Sequence, residues 1–515
     1  MGESAPIVLV ILDGFGWAPR SKGNAIASAR TPHFAGLQTS FPSTLLAASG
    51  VAVGLPANQV GNSEAGHLNI GGGRVVLQDA VRISRAIDDG TFFKNPALNE
   101  AIVHAEQARS KLHIMGLVSA HQSAHANPDH LLALLTLVRK RNVPRVFLHL
   151  FTDGRDANPR HGLLLIRQIS RGLPPNVKIA SIIGRHYAME RKKVWKYTER
   201  AYDCLTRGKG EVAPDAVSAV RAAYDRGETD EFVLPTVLAR YERTGRIGHR
   251  DAVIFFNLRS DRARQLSKAF VQPQFNARNP GSFRRKVVLR QLKFIAMTDF
   301  GPDLGPVLTA FPSEDVKNSL PVALTGFSQL YVAETEKYAH MTYFFNGGYD
   351  HPVAGEERIA VPSPDVSHYD VAPAMSAASV TREVVRAIDR GIEFVSANYA
   401  NADMLGHTGN FLATVQGIEV IDQHLGVIAD LVLGRQGTLV VTGDHGNAEQ
   451  MLQPNGDVNT EHTNSPVPLV IAQGALVRRP HELRSGGRLG DLAPTLLELL
   501  GHPKPAVMTG TSLWR

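Results

Sequence analysis

Ile7-Val8-Leu9-Val10-Ile11-Leu12 runs into Asp13-Gly14, six apolar residues closed by an acid and a glycine. A run this short, bounded by a turn signal, reads as a fully buried strand. The same grammar recurs at Leu112 to Val118, Val146 to Leu150, Ile179 to Ile183, Ala252 to Phe256, Phe294 to Met297, Phe394 to Ala397, Thr438 to Val441 and Val467 to Ile471, with helix-like segments between. Buried strands alternating with helices specify an α/β protein with mainly parallel sheets. Ligands of such sheets sit beyond the carboxyl ends of the strands, so chemistry is expected just after each run.

The residues at the ends of these runs are of two kinds. After the first and last come acids and histidines: Asp13, then Asp403 and His407, then Asp444 and His445, with His462 just ahead of the final run. After the middle runs come arginines: Arg155 in Asp153-Gly154-Arg155-Asp156, then Arg185 and Arg191, then Arg259 and Arg262. Metal-type side chains at both ends and anion-type side chains between them predict a discontinuous metal-binding domain, 1–76 with 312–515, interrupted by an inserted domain over 77–311. Gly71-Gly72-Gly73 and the stretch Gly301 to Pro312 supply the glycine- and proline-containing links.

Composition sets the outer bounds. At 515 residues, 43% hydrophobic and 20% charged, the chain is long enough for more than one core and has a globular balance. Its formal charge of +7 is spread without a run of five basic residues, which suits a small anionic ligand as well as a nucleic acid. A single cysteine, Cys204, excludes an intramolecular disulfide and reads as a small buried side chain. Met1 to Pro6 lacks the basic and long apolar regions of a signal peptide, and no stretch approaches a membrane span of about 18 apolar residues. The expectation is a cytoplasmic protein with neither a membrane nor a nucleic-acid partner.

Asp403-x-x-x-His407 puts a carboxylate and an imidazole one helical turn apart, and Asp444-His445 follows a strand where adjacent side chains can fan toward different ions. Mixed Asp/His sets suit Mn²⁺ or Zn²⁺, and the carboxylates suit Mg²⁺ as well. Gly61-Asn62-Ser63-Glu64-Ala65-Gly66-His67 places a serine at a loop-to-helix junction. The ordinary reading is a helix cap. The same geometry offers a phosphate on that serine the amides and dipole of the helix, and a metal ion can activate its hydroxyl. Arginines recurring after strands suit the paired oxygens of carboxylate or phosphate, and Asp156 among them can exchange a proton with a substrate hydroxyl or form a structural Arg-Asp pair.

These stretches resemble the cofactor-independent (2,3-bisphosphoglycerate-independent) phosphoglycerate mutases of the alkaline phosphatase superfamily. The resemblance runs through VILDGFG at 10–16, GLPANQVGNSEAGHLNIGGGRVV at 54–76, TDGRD at 152–156, GRHYAMER at 184–191, FFNLRSDRARQL at 255–266, AETEKYAHMTYFFNGG at 333–348, NYANADMLGHTG at 398–409, GDHGNAEQM at 443–451 and EHTNSPVPLV at 461–470. It implies an alkaline-phosphatase-like domain interrupted by a second α/β domain. It further implies one divalent ion on Asp403, His407 and His462 and another on Asp13, Ser63, Asp444 and His445. Mn²⁺ is the expected metal, with Mg²⁺, Co²⁺ and Zn²⁺ as alternatives, and 2,3-bisphosphoglycerate is not a cofactor.

By the same resemblance, His125, Arg155, Asp156, Arg185, Arg191, Arg259, Arg262 and Lys337 hold the substrate. The phosphate of 3-phosphoglycerate passes to Ser63 and returns to the 2-hydroxyl, with Lys337 stabilising charge and Asp156 moving protons. A hinge motion and a monomeric protein are implied. Three stretches depart from the family pattern. Ala120-His121-Gln122-Ser123-Ala124 replaces a shorter glycine-rich loop ahead of His125, which makes His121 a competing candidate for the pocket histidine; Ser260 stands at a usual proline, and His186 at a usual tyrosine. The rival readings are a metal-dependent phosphatase or sugar-phosphate mutase of the same superfamily, or a catalytically inert binding protein.

Overall fold

The computed structural model describes residues 5–121, 123–305, 307–313, 315–474 and 483–514, so most of the N-terminal stretch read above for a signal peptide, and Gln122, lie outside the described residues. The chain forms two compact units, Met1–Gln78 with Asp315–Arg515, and Asp79–Glu314. Each is built on a mainly parallel eight-stranded sheet, so the fold is α/β as the strand grammar requires.

In the first unit the strand order is Glu357–Val361, Gln329–Glu334, Phe394–Tyr399, Ile7–Leu12, Thr438–Gly443, Val467–Gln473, Ser43–Ala47 and Gly487–Arg488. Ile7–Leu12 lies at the centre, with Ile7 opposite both Phe394 and Thr438, and every residue of these three strands is buried. Helices that include Ala377–Asp389 and the 24-residue Phe411–Gly434 cover the sheet and join its core. Four neighbouring strands, Gln329–Glu334, Phe394–Tyr399, Ile7–Leu12 and Thr438–Gly443, run parallel. Their carboxyl ends therefore share one edge, to which they deliver Lys337, Asp403, Asp13 and Asp444. Val467–Gln473 runs antiparallel to Thr438–Gly443, so its entry brings His462 to that same edge.

The second unit orders Leu308–Phe311, Lys293–Thr298, Ala252–Phe255, Leu112–Val118, Val146–Thr152, Val177–Gly184, Thr236–Leu238 and Glu211–Ala213. Its central strands alternate between two cores, Leu112, Ile114 and Leu148 packing into one, and Met115, Leu117 and Phe151 into the other. Period-two alternation with both faces covered is what makes each run mainly apolar, with the buried His113 and His149 as partners of one another at 2.9 Å. Cys204 is buried here, and burial pushes its thiol up to about 12. Among the described residues no helix is long and apolar enough to cross a membrane.

Candidate active site

Ser63 begins the helix Ser63–Gly72, but the cap is the preceding residue: Asn62 Oδ1 accepts from the Ala65 amide at 2.8 Å. Its hydroxyl is thereby released from the capping role that was its ordinary reading. Ser63 Oγ instead lies 2.9 Å from His445 Nε2 and 3.3 Å from Asp13 Oδ1, and it accepts from Lys337 Nζ at 3.1 Å. The helix approaches the end of Thr438–Gly443 closely because residue 66 is glycine; a Cβ there would stand 2.6 Å from the Asp444 carbonyl oxygen. Gly14 makes a second close approach with φ of +72°, and its amide donates to Asp444 Oδ1 at 3.1 Å.

Lys337 Nζ bridges Asp13 Oδ1 at 2.6 Å and Asp403 Oδ2 at 2.5 Å, with its side chain 5% exposed. Burial works against the charge of Lys337, yet Asp13, Asp403 and Asp444 raise its pKa above the usual lysine range. Burial likewise opposes ionisation of Asp13, but Lys337 and His445 hold its carboxyl far below the usual carboxylate range. For His445, burial disfavours the cation while Asp444, Asp13 and Asp403 raise it to about 10.

The expected helical turn joins Asp403 to His407: helix Asn401–Gly406 carries the acid, and the His407 amide donates to the Asp403 carbonyl at 3.0 Å. His407 and His462 place Nδ1 against the carbonyl oxygens of Thr460 (2.7 Å) and Gly61 (2.9 Å), which assigns the Nδ1 proton to each. With both rings neutral, their Nε2 atoms present lone pairs 3.1 Å from one another and 3.3 and 3.2 Å from Asp403 Oδ1. Such a convergence is stable with a positive charge among the three atoms, either a metal ion or a proton on His407, where burial opposes the charge but Asp403 raises the pKa. Anchoring the far nitrogen on a carbonyl is how ligating histidines are oriented. Asp444 Oδ2 is buried without a hydrogen-bond partner, a second acceptor open to a cation. The donor set therefore fits divalent metal. Among the described residues, Asp403 with His445 and His462, and Asp13 with His67 and Asp444, bring their ligand atoms within 4.8 Å of one another; Ser63 and His407 adjoin them through the contacts above.

In the second unit the arginines also gather at strand ends. Arg185, 1% exposed, pairs with Asp153 and, at 2.9 Å, with Asp156 Oδ1. Ser123 Oγ donates to Asp156 Oδ2 at 2.7 Å and accepts from the His125 amide at 3.1 Å. Burial opposes ionisation of Asp156, but Arg185 and Ser123 hold it below the usual carboxylate range. Asp261 receives Arg191 Nη1 at 2.6 Å and lies 3.5 Å from Arg259 Nε. Burial lowers the Arg262 pKa, and so do Arg185, Arg191 and Arg155, which shows that like charges converge here. Arg155 stands 3.7 Å from Glu231.

The structure separates the two candidate histidines. His121 is exposed and faces the exposed Asp129 at 3.3 Å. His125 is buried among Arg185, Asp156, Asp261 and Arg259; burial first, then Arg185, pushes its imidazole down to about 4. His125 Nδ1 and Arg185 Nε are both buried without a hydrogen-bond partner. Sequence reasoning passed over the residues that hold these groups: Asp153, Ser123 and Asp261 here, and His67, Asn398 and Asn447 in the first unit. Asn447 Nδ2 donates to Asp403 Oδ1 at 2.8 Å.

A serine hydroxyl released from capping, set among carboxylates and imidazoles at the carboxyl edge of a parallel sheet, defines a metal-dependent enzyme. Residues 5–504 match the Metalloenzyme superfamily. The chain is 46% identical over 538 residues to the 2,3-bisphosphoglycerate-independent phosphoglycerate mutase of Chloroflexus aurantiacus (strain ATCC 29366 / DSM 635 / J-10-fl), covering 100% of this chain and 99% of that one. It is 44% identical over 516 residues to the enzyme of the same name from Moorella thermoacetica, covering 99% and 98%. A crystal structure of Leishmania mexicana phosphoglycerate mutase at low cobalt concentration superposes with a TM-score of 0.72 at 27% identity, covering 99% of this chain and 98% of that one. The chain belongs to the 2,3-bisphosphoglycerate-independent phosphoglycerate mutases, metal-dependent isomerases.

Proposed function

We propose that the enzyme interconverts 3-phosphoglycerate and 2-phosphoglycerate through a phosphoserine on Ser63, with one divalent ion on Asp403, His407 and His462 and a second on Asp13, Ser63, Asp444 and His445. The observation that carries this is the Ser63 hydroxyl, freed by the Asn62 cap and contacted by Lys337 Nζ at 3.1 Å and His445 Nε2 at 2.9 Å. Bound divalent ions would neutralise the carboxylates, lower the pKa of the serine hydroxyl and offset charge on the phosphoryl oxygens. Mn²⁺ is the first choice; Mg²⁺, Co²⁺ and Zn²⁺ suit the same donors.

In the first transfer the Ser63 Oγ–phosphorus bond forms as the bond from phosphorus to the 3-oxygen breaks; the hydroxyl proton leaves Ser63 and the 3-oxygen gains one. Lys337 stabilises charge on the phosphoryl oxygens, the main demand of such transition states. Arg155, Arg185, Arg191, Arg259 and Arg262, with His125, hold the glycerate carboxylate and hydroxyls, which keeps the acceptor in place and excludes water as a competing nucleophile. Asp156, ionised beside Arg185, is in the correct state to take the 2-hydroxyl proton as that oxygen attacks the phosphoserine; the bond from phosphorus to Ser63 Oγ breaks as the bond to the 2-oxygen forms, and Ser63 Oγ regains a proton. On this reading the metal ligands belong to one unit and the arginines to the other, so phosphoryl chemistry falls to Met1–Gln78 with Asp315–Arg515 and acceptor binding to Asp79–Glu314.

The test is an assay that measures 2-phosphoglycerate formed from 3-phosphoglycerate alongside free inorganic phosphate. Isomerisation without net phosphate release is expected. Phosphate release without isomerisation would make the enzyme a phosphatase and overturn the reading.

A further inference from the structure

His67 belongs to neither ion's expected ligand set, yet it is fully buried one helical turn beyond Ser63. Its Nε2 lies 3.0 Å from Asn398 Nδ2, and the same amide nitrogen donates to Asp13 Oδ2 at 2.8 Å. Its Nδ1 lies 2.9 Å from the Ser63 carbonyl oxygen and 3.3 Å from Asp444 Oδ2. These contacts fix the proton. Asp13 is a carboxylate, so the Asn398 group facing it must be the NH₂ donor; flipping the amide would set oxygen against oxygen. The second amide hydrogen then points at His67 Nε2, which must accept. The ring proton is thereby on Nδ1, where it donates to Ser63 O and faces Asp444 Oδ2. The opposite tautomer would place a nitrogen lone pair against both oxygens.

We propose that His67 is a positioning residue for the reaction: Asp13, through Asn398, locks its Nδ1–H tautomer, and that proton, bonded to the Ser63 carbonyl, holds the Ser63 turn and turns its positive end toward Asp444 Oδ2 in the arrangement the second ion requires. This rests on the reading of Asp13, Ser63 and Asp444 as ligands of one ion. It also decides between two readings of the Asp13, His67 and Asp444 grouping. Both ring nitrogens are already engaged, so His67 supports the ligands and is not one of them. Partners of this kind typically contribute about 10–100-fold in metal affinity.

Titration of Mn²⁺ into metal-stripped protein, monitored calorimetrically, tests this without turnover, so a failed phosphoserine experiment would leave the result interpretable. His67→Leu is expected to weaken the second Mn²⁺ equivalent about 10–100-fold while both equivalents still bind at high concentration. His67→Asn, whose amide nitrogen can stand where Nδ1 stands, should restore most of the affinity; Asn398→Ala, which unlocks the tautomer, should lose part of it. The double variant His67→Leu with Asn398→Ala should lose less than the sum of the two single losses, because part of what Asn398 contributes runs through His67 and part through its own bond to Asp13. Unchanged Mn²⁺ affinity in His67→Leu, additive losses in the double variant, or loss of a whole equivalent in His67→Asn would each overturn the proposal. If His67→Leu does not fold, Asn398→Ala decides: wild-type affinity in that variant refutes the lock.

Discussion

Replacing Lys337 with methionine removes the ammonium that bridges Asp13 and Asp403 at 2.6 and 2.5 Å and leaves both buried carboxylates facing one another. Removing one partner from a buried ionic cluster costs about 3–5 kcal/mol. At roughly 2–4 °C per kcal/mol for a domain of 150–250 residues, the metal-stripped variant should melt about 10 °C below the wild type. Divalent ions neutralise the same carboxylates, so in saturating Mn²⁺ the deficit should shrink. The raised lysine pKa sets the pH window: the contribution is complete below the unfolded-state value of about 10.4 and is lost only as pH rises through the folded-state value, so neutral buffer shows it in full. Activity should fall on the order of 10²–10³-fold, the usual loss when one donor to a developing oxyanion is removed. Calorimetric melting with chelator and with Mn²⁺ measures both arms. A metal-stripped shift under about 2 °C, or an equal shift in both conditions, would refute the assignment of Lys337 as counter-charge to the ligand carboxylates.

Two further outcomes concern other residues. Arg185→Lys keeps a charge but loses the guanidinium donors beyond the Nη1 that meets Asp153 and Asp156, so KM for 3-phosphoglycerate should rise roughly 10–100-fold in steady-state assays, and an unchanged KM would remove Arg185 from the substrate. Glu334 is wholly buried, and burial raises its carboxyl from 4.5 to about 7. Its raised pKa means the favourable neutral form is present below the unfolded value and is lost as pH rises through about 7, so Glu334→Gln should gain on the order of 2 kcal/mol over wild type at pH 8 and little at pH 4 in denaturant titrations. Equal gains at both pH values would contradict that.

The fold was legible where strands are buried on both faces. Ile7–Leu12 and Leu112–Val118 are strands over the residues their runs mark, because neither strand has a solvent-facing side and the one imidazole, His113, is itself buried. Gln329–Glu334 escaped notice although it is internal to its sheet, since only Leu330 to Ala333 is apolar and Gln329 and Glu334 disguise its ends. Ser43–Ala47 and Glu357–Val361 are partly exposed and carry mixed side chains. The acids and histidines expected to hold metal stand out in the sequence because each adjoins the end of such a run. Lys337 does not, and entered only through the family resemblance, because the strand that delivers it was unseen. His67 left a fainter signal, an imidazole four residues beyond Ser63 and so on the same helical face. Asn398 left one too: Ser396 and Asn398 are alternate polar positions in an otherwise buried strand, where a polar side chain needs a partner. His121 and His125 both come after the same strand, so the difference in their burial needed coordinates.

The phosphoserine is open to direct trapping. Wild-type enzyme mixed with 3-phosphoglycerate, quenched in acid and digested for mass spectrometry should carry a phosphoryl group on the peptide containing Ser63. Ser63→Ala should carry none and should form no 2-phosphoglycerate while melting like the wild type. Isomerisation by Ser63→Ala, or a phosphoryl group trapped on another residue in its place, would contradict transfer through Ser63.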